Sequence, residues 1–232
     1  RPRTPPPARP EQVRIAAYLV NGLADGEAAT REETLRHMDA LGAEYLHFPA
    51  YEEEYRTKIE YGCEDEAAAD AAMTLTLDPP FTRPRASYGA RERFRAHFRA
   101  LIYPVIAELE MWTATERLQS AQLLELLLIF TEAHATEFAH QILPALAKGS
   151  DPDNPTELRT KVARAAVMFA QFVPPRSYLP LALSMLAHDA LNPLSQRVQY
   201  YALLPALLQG MRPAARAWAV PQLVATLLEE AD

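Results

Sequence analysis

Glu132, His134, Glu137 and His140 form the densest group of potential metal ligands in this 232-residue chain. His134 and Glu137 are three apart, a spacing that places both on one face of a helix. The group has no HExxH pattern, no second cluster to complete it and no cysteine close in sequence. Those residues therefore read as surface or interhelix side chains rather than as a zinc centre. Cys63 is followed directly by Glu64, Asp65 and Glu66, whereas a reactive thiolate needs electropositive neighbours. As the single cysteine, it leaves no internal disulfide framework and fits a reducing compartment. Ser120 and Ser184 lie in apolar helical sequence without a nucleophile elbow. Neither GxxxxGK[ST] nor GxGxxG occurs, so no phosphate cradle is visible. No cofactor, no metal and no catalytic constellation is expected.

The charged residues follow a different order. Arg117, Lys161 and Arg197 each open an apolar segment, at separations of 44 and 36 residues. Acidic residues precede them: Glu110, then Asp151 or Asp153, then Asp189. Arg31, after Asp25, is an earlier member of the same ladder. Prolines embedded in apolar runs keep similar phase: Pro104 in LIYPVIAEL, Pro144 in ILPALAK, Pro180 in YLPLALSML and Pro221 in AVPQLVATLL, separated by 40, 36 and 41 residues. Two helices per period of about 40, with proline in the first and Asp…Arg across the turn, is the pattern of HEAT repeats. A lone helix pair cannot bury its apolar face, so neighbours must stack. The expected fold is all-α, a HEAT/armadillo-like α-solenoid (an α–α superhelix) of antiparallel helix pairs. The acid–base ladder is expected to bond between successive turns. Leu118, Ala121, Leu124, Leu128, Phe138, Ile142 and Leu146 are expected in its core.

In chain order, residues 1–10 form a proline-rich lead and residues 11–46 a HEAT-like pair, with helices over Glu11–Leu23 and Ala28–Leu46. Residues 47–88 read as an insertion. It holds a short charged helix at Tyr51–Tyr61, a frayed helix near Asp65–Met73 and a proline-rich run at Asp78–Arg85 that cannot be helical. Residues 89–232 read as three pairs and a truncated fourth, in one continuous solenoid. Helix resumes over Tyr88–Glu110. Thr113 and Glu116 match a capping box that starts the next helix. Further helices follow at His134–Lys148, Glu157–Phe172, Ser177–Ala187, Pro193–Gln209 and Pro213–Glu230.

A net charge of −7, with no basic patch, argues against nucleic acid as a partner. No apolar run reaches the ~18 residues that span a bilayer, so no membrane is expected. The chain begins at Arg1 with neither Met nor signal peptide and reads as a segment of a longer polypeptide.

Several segments go beyond a generic repeat. Glu52–Tyr61 (EEEYRTKIEY), the proline-rich Pro79–Pro84, Gly89–Ile106 (GARERFRAHFRALIYPVI), Arg117–Leu127 (RLQSAQLLELL), Thr131–Thr136 (TEAHAT) and Phe172–Leu181 (FVPPRSYLPL) occur in register. In these the chain resembles the C-terminal part of the HEAT-repeat dynein axonemal assembly factor 5 family, also called HEAT repeat-containing protein 2. The resemblance covers about Ala28 to Leu186. The chain departs from the family's pattern in the Ala-rich Glu64–Met73 and around His134. The resemblance implies a non-enzymatic, co-chaperone-like scaffold in the cytoplasm of ciliated or flagellated cells. It would serve preassembly of outer and inner axonemal dynein arms. Its implied partners are axonemal dynein chains (dynein intermediate chains among them), other dynein assembly factors and chaperones. The alternative is a generic HEAT adaptor, such as a transport-receptor or phosphatase-scaffold fragment. On either reading the second helices, Thr115–Phe130, Glu157–Phe172 and Leu194–Gln209, line the concave side, and Gln119, Gln122, Arg164 and Gln199 are the expected contact residues.

Overall fold

The computed structural model describes residues 10–46, 70–71, 73, 75–111, 113–187 and 193–229. The expected helix at 51–61, all but residues 70–71 and 73 of the one at 65–73, Cys63, Asp189 and most of the lead and insertion lie outside that set. Among the described residues there is no strand. Nine α-helices are described: α1 Pro10–Leu23, α2 Ala28–Leu46, α3 Tyr88–Leu109, α4 Ala114–Thr131, α5 Ala139–Gly149, α6 Thr156–Phe172, α7 Leu179–Leu186, α8 Leu194–Gly210 and α9 Pro213–Glu229. Three-residue-per-turn helix occupies Glu132–Phe138 and Pro175–Ser177. The fold is all-α, built of helix hairpins of the HEAT-repeat α-solenoid class.

The chain divides into two compact units, Arg1–Leu101 with Ile129–Thr131, and Ile102–Leu128 with Glu132–Asp232. In the first, α1 and α2 form a hairpin. Pro10 opens α1, where its missing N–H costs no bond. Ala16, Val20 and Leu23 repeat at helical spacing and are buried with Met38 of α2. Asp25 Oδ1 accepts the Glu27 N–H at 2.8 Å, which fixes the turn. α2 and α3 touch backbone to backbone, because a Cβ at Gly42 would overlap Ala90 N and one at Gly89 would overlap the Gly42 carbonyl. The Ser87 hydroxyl donates to Asp39 Oδ1 at 2.5 Å beside that contact. Phe94 and Phe98 are sealed on the inner face of α3, and Phe94 stacks on Phe130 with ring centroids 4.8 Å apart.

In the second unit α5 and α6 make a hairpin about the DPDNP turn, and α8 packs along both. α6 buries Leu158, Val162, Ala165, Ala166 and Phe169, an i, i+4, i+7, i+8, i+11 stripe. α8 lies against α6 more extensively than against its own partner α7, because α7 has only 8 residues. The approach is close: a Cβ at Gly210 would overlap the Val167 carbonyl oxygen. Of the expected core, Ala121, Leu124, Leu128, Phe138, Ile142 and Leu146 are buried. Leu118 is only half-buried, since it lies in the open first turns of α4.

Local details depart from the sequence reading in three places. α4 starts at Ala114, but the Thr113 side chain does not cap a backbone N–H. Its hydroxyl pairs with the Glu116 carboxylate instead, so each side chain satisfies the other and not the helix end. The segment expected to start a helix at His134 is Glu132–Phe138, of the tighter type, and α5 proper begins at Ala139. The break follows Glu132, which sits at φ 50°, a region that costs an L-residue about 1–3 kcal/mol. Pro104, Pro144 and Pro221 are inside helices, but Pro180 falls in the first turn of α7, where it interrupts no hydrogen bond.

Gly210→Ala tests the α6–α8 contact. Alanine favours an isolated helix by ~1 kcal/mol over glycine, yet here the methyl must push α8 off the Val167 carbonyl. The urea midpoint is expected to fall; a midpoint that rises would mean that the two helices have room to spare.

Candidate protein-binding surface on the second helices

The three residues of the expected ladder sit near the start of successive second helices. Arg117 Nε donates to the Leu109 carbonyl at 3.3 Å, and Arg197 Nε to the Leu186 carbonyl at 3.0 Å. Each guanidinium thus reaches back to the last turn of the first helix of its own pair, whose final carbonyls lack intrahelical donors and carry partial negative charge. Arg31 instead holds the α1–α2 turn itself, donating to the Asp25 and Gly26 carbonyls just past the end of α1, at 2.8 Å each. Between α5 and α6 the role passes to Asn154, whose Nδ2 donates to the Lys148 and Gly149 carbonyls at 2.9 and 3.0 Å. Lys161 lies half-buried a turn further along α6.

Bonds between successive helix pairs come from residues singled out as surface contacts. Arg164 on α6 holds Glu125 on α4 through Nε and Nη2, at 3.1 and 2.9 Å. The Glu125 side chain is only 8% exposed, so the guanidinium compensates a nearly buried charge. Gln199 on α8 donates to Asp151 Oδ2, in the α5–α6 turn, at 2.7 Å. Gln119 is exposed and Gln122 half-buried. The three helices differ in openness. Beyond Gln122, α4 is buried on every side from Leu123 to Phe130. A helix lining an open groove keeps an exposed stripe, so only the first half of α4 offers surface.

α6 and α8 do keep open faces. Thr156 and Thr160 of α6 are exposed. On α8, Leu194, Val198 and Tyr201 stay in water, at 71%, 38% and 36% of their surface. Between the two helices runs a cleft of about 270 Å³, lined by Ser150, Thr156, Arg159, Thr160 and Ala163 on one side and Ala202 and Ala206 on the other. Sequence reasoning passed over this face because it looked only at polar side chains. The signal was present in Leu194, Val198 and Tyr201, apolar residues that share a face away from the buried Leu203 and Leu207.

The titratable groups are placed as follows. His134 Nδ1 lies 3.9 Å from Glu137 Oε1, His140 is exposed and Glu132 is buried. No group of three His, Cys, Asp or Glu side chains that could hold a metal occurs among the described residues. Burial in the second unit pushes the Tyr178 phenol up, against Phe169 at a centroid distance of 5.0 Å. In the first unit burial, and then the charge of Arg93, push the His97 imidazole below its ordinary 6.5. No described helix is long and apolar enough to cross a membrane.

Stacked helix pairs tied together through their second helices, with an open face on two of them, define a HEAT-type repeat protein. The family model described as "Dynein axonemal assembly factor 5, HEAT-repeat domain" matches residues 78–231, and the chain belongs to that family. It is 28% identical over 173 residues to dynein axonemal assembly factor 5 of Homo sapiens, covering 75% of this chain and 19% of that protein. It is 26% identical over 132 residues to the same factor of Mus musculus, covering 55% and 15%. The chain therefore spans less than a fifth of the length of these curated relatives. No solved structure matches.

Arg164→Ala strips the partner from the Glu125 carboxylate. A loss of about 1–3 kcal/mol is expected, against under ~0.5 kcal/mol for Gln119→Ala. Chemical denaturation measures both, and equal losses would show that the ion pair is not a tie. A pH series tests His97. Its folded-state value lies below 6.5, so the unfolded chain binds the extra proton first. The neutral-imidazole contribution is complete above 6.5 and is lost as pH falls through the folded value. His97→Leu should flatten stability between pH 7 and 5; an unchanged acid slope would assign that slope to other groups.

Proposed function

We propose that this chain is part of a non-enzymatic scaffold for cytoplasmic preassembly of outer and inner axonemal dynein arms, needed for motile cilia or flagella. The observation that carries the reading is the family match across 78–231. The partners are axonemal dynein chains, dynein intermediate chains among them, together with other assembly factors and chaperones. The second helices present the contact surface, as the concave side of the solenoid. Gln119 and Gln122 flank its opening on α4, while Arg164 and Gln199 combine any partner contact with the intrachain bonds described above. A scaffold of this kind works through shape and charge rather than bond-making, and the open faces of α6 and α8 supply both.

The test is capture from cytoplasm of ciliated cells by the tagged chain, followed by mass spectrometry. Axonemal dynein chains and assembly chaperones are the expected recovery. Nuclear cargo or phosphatase subunits in their place would favour the generic adaptor. In cells, deletion of the gene should leave axonemes short of dynein arms; intact arms would overturn the proposal.

A further inference from the structure

Leu194, Val198, Tyr201 and Pro205 are all exposed on α8 and fall at i, i+4, i+7 and i+11, one stripe on one face. At a rise of about 1.5 Å per residue the stripe is about 16 Å long, three turns of apolar surface facing water. Along its α6 side it meets the cleft, through Ala202 and Ala206 of α8. Arg159 is the one charged side chain among the residues lining that cleft. Its Nη2 donates to Thr156 Oγ1 at 3.2 Å. Its Nε is shut off from solvent with no acceptor among the described residues. That nitrogen is out of a partner's reach, but a guanidinium carries further N–H donors and a full positive charge, both suited to a carboxylate. Asp151, next in the chain to the cleft residue Ser150, has Oδ2 engaged by Gln199.

We infer that the α8 stripe and the Arg159 cleft together form a docking site for an acidic amphipathic helix of a partner protein. Its apolar side lies along Leu194–Pro205 and one of its carboxylates reaches Arg159. The inference rests on the scaffold reading above and specifies which part of the second-helix surface is used and by what chemistry. The stripe has the length and spacing that a helix fills with residues at i, i+4 and i+7. The charge beside it selects acid over base.

The test uses the whole chain and three fluorescent amphipathic peptides. They share leucines at i, i+3, i+4 and i+7 and differ only in carrying glutamate, glutamine or lysine on the flanks. In fluorescence polarisation the glutamate peptide is expected to bind tightest. Arg159→Ala should weaken it about tenfold and leave the glutamine peptide unchanged. Val198→Asp, at an exposed position that does not threaten folding, should abolish binding of both. Equal affinity for all three peptides, or indifference to Val198→Asp, overturns the site. So does a dimer in sedimentation that Val198→Asp dissociates, since the face would then belong to self-association. Dynein chains captured equally by wild type and by a variant carrying both Arg159→Ala and Val198→Asp overturn this site and leave the scaffold reading standing. If wild type captures none, it is the scaffold reading that fails.

Discussion

An α-helix ends with four carbonyl oxygens that its own backbone cannot satisfy. In a chain of short helices joined by tight turns, those ends recur every few turns and must be met where the chain reverses. Here a side chain from the helix that follows reaches back to do it. Arg117 and Arg197 serve in this way within hairpins, Asn154 does so from the α5–α6 turn, and Arg31 holds the carbonyls of the α1–α2 turn itself. Arg216 serves between α8 and α9, donating to the Gln209 and Met211 carbonyls at 3.1 Å each. A guanidinium suits the place because it brings several donors and a full positive charge to the negative end of the helix dipole. Once the end is sealed, the angle at which the next helix leaves is restricted, and packing of the apolar stripes follows from it.

Stacking needs a second set of bonds, between pairs rather than within them. Glu125–Arg164 joins α4 to α6, and Asp151–Gln199 joins the α5–α6 turn to α8. Both leave from polar positions on second helices. A buried carboxylate such as Glu125 is unfavourable alone and tolerable only with its partner, so this contact fixes register as much as it adds stability. The close approach at Gly210 works to the same end, since only a residue without Cβ lets α8 settle on the Val167 carbonyl. What α8 does not commit to α5, α6 and α7 remains in water as an apolar stripe, the face we propose for a partner.

The sequence by itself determined that the chain is helical, that it repeats with a period near 40, and to which family it belongs. Those properties rest on local signals: alanine and leucine at 3.6-residue spacing, prolines in phase, an early basic residue in each second helix. Segments such as Gly89–Ile106 and Arg117–Leu127 carry the family pattern without reference to anything distant. Helix ends were legible to within a few residues where a proline or an acidic turn marks them, as at Pro213 and Asp151–Pro155. Only the tertiary structure decided what the marked residues do. Arg117 reaches the Leu109 carbonyl across its own turn, 8 residues back, whereas Arg164 facing Glu125 and Gln199 meeting Asp151 depend on how residues 39 and 48 positions apart in the chain come together. Periodicity assigns a residue to a face of its own helix and is blind to the neighbour lying on that face. For the same reason Leu123–Phe130 could not be told from a half-open helix, nor Leu194, Val198 and Tyr201 from core. An apolar side chain looks the same in sequence whether another helix covers it or water does, and only packing separates the two.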